Sequence, residues 1–147
     1  MKHNFFSRPR KFRLDKLVRD KIPLILRSQG ITVFDHTLDT KAWSQSLKNK
    51  LLEEANEVQQ AQTAQAVLEE LADVLETIIA VGQAYNLSFD AIETARIQKR
   101  EEKGGFENRI YIHGIEMASN HPQLGYYLAR PEDYPEVPEV DLTSRNL

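Results

Sequence analysis

Residues 51–80, LLEEANEVQQAQTAQAVLEELADVLETIIA, decide how this chain folds. Each residue of a helix advances about 100° around the axis. Leu47, Leu51 and Val58 then share one side, and Glu54 projects into the middle of their apolar stripe. A buried carboxylate without a partner is costly, so proteins neutralise it, pair it or give it a metal. Further along, Val67, Leu71, Val74, Leu75 and Ile78 make a wide apolar face with Glu70 and Asp73 at its edge. The stretch between, VQQAQTAQAVLE, permits a tight turn near Thr63, which makes the two helices antiparallel neighbours.

Working outward, Thr40 is expected to cap the first long helix, which runs to about Gln62. Thr63 caps the second, from Ala64 to about Tyr85. Ser88 caps a third, with Asp90 in its first turn and a stop at Lys103 before Gly104-Gly105. Asp20 can cap a short helix, IPLILRSQ, that ends at Gly30; Pro23 is tolerated in its first turn. ITVFDHTL (31–38) and RIYIHGI (109–115) alternate like strands. They could pair as a two-stranded ribbon, which would need helices to lean on. The expected fold class is therefore all-α: an antiparallel helical bundle with a short helix near the N-terminus and a small β ribbon. Three segments are expected: a flexible basic arm (1–13), a helical domain (14–115) and a Pro-rich acidic tail (116–147), extended or partly disordered.

With 147 residues, 41% hydrophobic and 28% charged, the chain suits one soluble domain with a core. A net charge of −3 gives no overall basicity to attract nucleic acid. The ends differ, however. Residues 1–27 hold Lys2, Arg8, Arg10, Lys11, Arg13, Lys16, Arg19, Lys21 and Arg27 against Asp15 and Asp20, whereas acids dominate after Glu116. Such ends can attract each other or another chain. No cysteine is present, which excludes disulfides, thiolate nucleophiles and Cys-based metal sites. His3, His36, His113 and His121 are scattered, with no spacing that makes a zinc site. No signal-peptide pattern or membrane-length apolar run is found, so the expectation is a cytoplasmic protein.

The main chemical signal is the pair of i, i+3 carboxylates, Glu54–Glu57 and Glu70–Asp73, each pair one turn apart on a helix face. Meeting across an antiparallel interface, they would form the all-oxygen, highly charged cluster that Mg²⁺ or Mn²⁺ prefers. Spacing alone leaves that reading level with a solvated acidic face, which is the natural reading of Glu53, Glu69 and Glu76. On the third long helix, Phe89, Ile92, Arg96, Lys99 and Lys103 turn an apolar stripe basic toward its end. These cations either complement the helix dipole or hold phosphate oxygens.

LDKLVRDKIPLIL near the start, EEANE and EELAD in the middle, and RIQKREEKGGFENRI later together resemble the MazG-like all-α nucleoside triphosphate pyrophosphohydrolases. The resemblance spans roughly Lys16 to His113 and points to the short house-cleaning branch related to phosphoribosyl-ATP pyrophosphohydrolase. It implies a Mg²⁺-dependent enzyme that cuts between the α and β phosphates and forms dimers or larger homo-oligomers. The family's acidic motif falls on Glu54, Glu57, Glu70 and Asp73 as metal ligands. Its basic segment falls on Arg96, Lys99 and the following GGF, with Lys21 a further phosphate-binding candidate. Glu53, beside the cluster, is a candidate base, and Glu54 is placed with it in the catalytic set. The arm before Arg13 and the tail after Gly114 depart from the short form.

Three rivals remain open at this level. One is phosphoribosyl-ATP hydrolysis, the same bond type on another substrate. A second is a nucleotide- or partner-binding bundle that does not turn over. The third is nucleic-acid binding through residues 2–13, which the net charge argues against. Base preference is not legible, although Trp43 and Phe34 could stack on a base.

Overall fold

A computed structural model describes residues 8–137 of the chain. Among these residues the regular structure is entirely helical: α1 (Ile22–Ser28), α2 (Thr40–Gln60), α3 (Ala64–Ala84), α4 (Phe89–Lys103) and α5 (Leu124–Leu128). By its internal contacts the chain divides into two units, Met1–Glu101 and Glu102–Leu147.

The first unit is built on a hairpin of α2 and α3, the one pair of helices packed along their lengths among the described residues. Each is 21 residues long, and residues 61–63 join them. The turn is set by Thr63, whose Oγ1 accepts from the Ala66 N–H at 3.1 Å. This satisfies one of the orphan amides at the helix start, as expected. At the other end of the hairpin the cap sits one residue earlier than expected. Asp39, in extended conformation, accepts from the Ala42 N–H at 2.8 Å, and Thr40 becomes the first helical residue. Aspartate is at least as good a cap as threonine, so the carboxylate takes the position.

α3 ends in two nested bonds: Leu87 N–H to the Gly82 carbonyl at 2.8 Å and Asn86 N–H to Gln83 at 3.1 Å. Asn86 takes the left-handed conformation (φ 56°) that this closure requires. The closure draws the next segment tightly over Gly82, where an added Cβ would stand 2.9 Å from Ile92 Cδ1 and 3.0 Å from the Leu87 carbonyl oxygen. α4 then starts as expected, with Ser88 Oγ accepting from Ala91 N–H at 3.1 Å, and stops at Gly104 (φ 83°).

Several expectations change. α1 starts without the Asp20 cap: its N-cap position is Lys21, with no side-chain bond, and Pro23 sits in the first turn. No strand forms over 31–38 or 109–115. The first segment instead turns back on α1, where the Leu26 carbonyl accepts from Ile31 N–H at 3.1 Å and Arg27 pairs with the Asp35 carboxylate. In the second, Ile110 and Ile112 are 80% and 71% exposed, so no apolar surface holds a ribbon there. Residues expected to form an extended tail include α5; beyond its end Tyr134 packs against the rings of Tyr126 and Tyr127, and Arg130 covers the Tyr126 ring at 4.1 Å. Of the expected basic arm, residues 8–13 are exposed and irregular; residues 1–7 and 138–147 lie outside the described part.

Candidate metal centre

The site arises because α2 and α3 turn carboxylates toward each other. Glu54 is 4% exposed, as buried as Leu47, so the helical spacing places it correctly. Its neighbour one turn on, Glu57, and Glu70 of α3 complete a group whose carboxylate oxygens lie within 4.8 Å of one another. Three carboxylates from two helices can thus hold a metal ion. Asp73, the fourth expected ligand, is turned instead to Arg19. Thr77, also buried, donates to the Asp73 main-chain carbonyl at 2.9 Å.

The carboxylates are not left to repel one another. Lys50 Nζ lies 2.7 Å from Glu54 Oε1 and 3.0 Å from Glu53 Oε1, and Lys16 Nζ lies 2.9 Å from the same Glu53 oxygen. Among the described residues no buried side-chain nitrogen or oxygen lacks a hydrogen bond. Lys50 is only 19% exposed, and burial works to lower its pKa. The bonds to Glu54 and Glu53 outweigh that, so its pKa is raised and it stays an ammonium. Burial likewise pushes Glu53 up, but Lys16 and Lys50 hold it below the ordinary glutamate value. A carboxylate held ionised in this way is a weak base, which counts against the proton-accepting role considered for Glu53. The Asp73 hydrogen bond raises the pKa of Arg19 against a smaller desolvation effect.

None of the ion pairs among the described residues joins the expected phosphate ligands Lys21, Arg96 and Lys99 to the cluster. Arg96 uses both Nε and an Nη to grip Glu93, each at 2.7 Å, one turn back on the same helix. Arg96 and Lys99 line a shallow groove with Leu87, Ala91, Ile92 and Ala95. Lys21 is exposed at the start of α1. The cations that pair with the carboxylates at and beside the cluster, among the described residues, are Lys16, Arg19 and Lys50. Lys50 was legible in principle, since it precedes Glu54 by four residues on one helix face. Lys16 and Arg19 reach the site over 37 and 54 residues of sequence, which no local spacing reports.

No family model matches the chain, and no curated protein or solved structure matches it either. No helix among the described residues is long and apolar enough to cross a membrane.

Proposed function

We propose that the chain is a Mg²⁺-dependent nucleoside triphosphate pyrophosphohydrolase of the MazG-like kind, releasing a nucleoside monophosphate and pyrophosphate in house-cleaning of non-canonical nucleotides. The observation that carries this reading is the convergence of Glu54, Glu57 and Glu70 from two antiparallel helices onto one small volume. A solvated acidic face would spread its charges outward, and it would not bury Glu54.

These three residues would hold the metal, with Asp73 able to join them after leaving Arg19. A bound Mg²⁺ would supply charge neutralisation at the phosphates and acidify a water. The protein's own part is to position. The i, i+3 spacing fixes two carboxylates per turn, and the Lys50 ammonium engages both Glu53 and Glu54. No side-chain nucleophile is needed, because phosphoryl transfer to water depends on alignment and electrostatics.

The chain is also proposed to work as a homo-oligomer. Leu68, Leu71 and Leu75 of α3 and Leu52 of α2 are 47–67% exposed, an apolar surface on the two helices that a second copy would cover. The pairing of Glu54 with Lys50 favours one alternative, a bundle that binds nucleotide or a partner without turning over. Phosphoribosyl-ATP is the alternative substrate.

A panel of canonical and damaged nucleoside triphosphates, plus phosphoribosyl-ATP, separates these when followed by phosphorus NMR with pure protein and Mg²⁺. Monophosphate and pyrophosphate as the first products support the proposal. Diphosphate with orthophosphate would overturn the bond assignment, and no turnover across the panel would favour the binding bundle.

A further inference from the structure

The KLVR segment, residues 16–19, touches both helices of the hairpin. Lys16 reaches Glu53 on α2, and Arg19 reaches Asp73 on α3. Between them Leu17 and Val18 are half-buried, so the segment is anchored by apolar contacts and not by its charges alone. The two cations differ from Lys50 in one respect that matters. Lys50 is 19% exposed and enclosed by its partners, whereas the side chains of Lys16 and Arg19 are 45% and 55% exposed. Each therefore keeps a free face toward solvent next to the cluster.

Arg19 also has the right chemistry. Its planar fork can bind two oxygens of a phosphate at once, and one nitrogen engages Asp73. Arg96, by contrast, has its fork spent on Glu93.

We propose that Arg19, assisted by Lys16, is a binding residue for the substrate's phosphates, stored on Asp73 until metal arrives. This rests on the pyrophosphohydrolase reading and deepens it. Asp73 cannot serve the metal and Arg19 equally well, so metal binding weakens the Arg19–Asp73 pair. The freed guanidinium would then be available to phosphate oxygens held beside the cluster. In the metal-free protein the same pair screens the cluster's negative charge.

The proposal predicts opposite effects on two ligands. Arg19→Ala removes a competitor for Asp73, so calorimetric titration should show Mg²⁺ alone binding several-fold more tightly than to wild type. A non-hydrolysable triphosphate with a methylene group between the α and β phosphorus, titrated in saturating Mg²⁺, should bind about 10- to 100-fold more weakly. Arg19→Lys should recover part of the nucleotide affinity, because it keeps the charge and loses the fork. Circular dichroism at matched helicity shows that the variants fold.

If Arg19 only braces Asp73, both ligands weaken together in the alanine variant, and the proposal falls while the functional reading stands. Unchanged affinity for the analogue overturns it in the same way. Wild-type protein that binds no Mg²⁺ would remove the functional reading itself, and this inference with it.

Discussion

Along α3, Glu70, Asp73 and Thr77 mark the more buried side, and Leu68, Leu71 and Leu75 stand two residues before each of them. Two residues are about 200° of rotation, so the leucines occupy the opposite side of the helix. They are 61%, 49% and 47% exposed, while Thr77 is buried and Glu70 and Asp73 half-buried. An ordinary hairpin would reverse this. Burying one leucine stabilises by roughly 1.5–3 kcal/mol, and the hairpin forgoes that gain while taking on the desolvation of carboxylates. A helix that turns charge inward and leucine outward has been shaped by two demands. On the proposed function, the inner face serves the site and the outer face a second copy of the chain.

The comparison is tested hardest from the inner face. Glu54→Gln should lose on the order of 10³-fold in turnover and all Mg²⁺-induced stabilisation, as read by pyrophosphate release and by thermal melts in chelator and in Mg²⁺. The structure also gives its stability sign. Lys50 keeps Glu53 but loses one charge-assisted bond, so the variant should melt lower in chelator by about 1–3 kcal/mol. A variant that still answers to Mg²⁺ would take Glu54 out of the site.

From the outer face, Leu71→Lys should split the proposed oligomer. Sedimentation should show the protomer mass, and a loss of about 1.5–3 kcal/mol per protomer should vanish on dilution, where wild type also dissociates. An unchanged mass would mean that the leucines meet only water.

Gly82→Ala sharpens the comparison at the point where α3 ends. The new methyl would meet Ile92 Cδ1 and the Leu87 carbonyl oxygen, and a carbonyl fixed by the helix closure cannot step aside. Overpacking of 1–3 kcal/mol should outweigh the roughly 1 kcal/mol gain in helix propensity, giving a net loss of about 1 kcal/mol in chemical denaturation. Smallest is Thr63→Ala, which removes the cap at the hairpin turn. It should cost about 1 kcal/mol or less and leave Mg²⁺ affinity unchanged, since Glu57 and Glu70 lie well over a turn of helix from the cap.

How much of this was legible depends on the range of the interaction. The three long helices, the Thr63 and Ser88 caps and the burial of Glu54 are local matters of periodicity and hydrogen bonding, and they appear as the sequence suggests. The meeting of Glu54, Glu57 and Glu70 follows from two such helices and a short turn. The β ribbon fails because alternation at 31–38 and 109–115 reports a preference and not a surface to pack on, and Arg27 draws the first segment toward α1. α5, only five residues long, carries too little periodicity to be seen among prolines. The partners of Glu53 and Asp73 come from the far N-terminal segment, where spacing is silent.

The three-residue link between α2 and α3 makes the site a matter of counting. From the Thr63 cap, Glu70 is reached by an unbroken run of helix, so its direction is fixed by the number of residues between. Deleting one residue within 64–69 would swing Glu70 and Asp73 about 100° around the axis and bring leucine toward α2 instead. Such a chain would keep nearly all of its composition and its helical pattern, and would set leucine where the carboxylates had been. In this hairpin a single-codon deletion is the change that exchanges function for stability, and the turn sets the reading frame of the metal site.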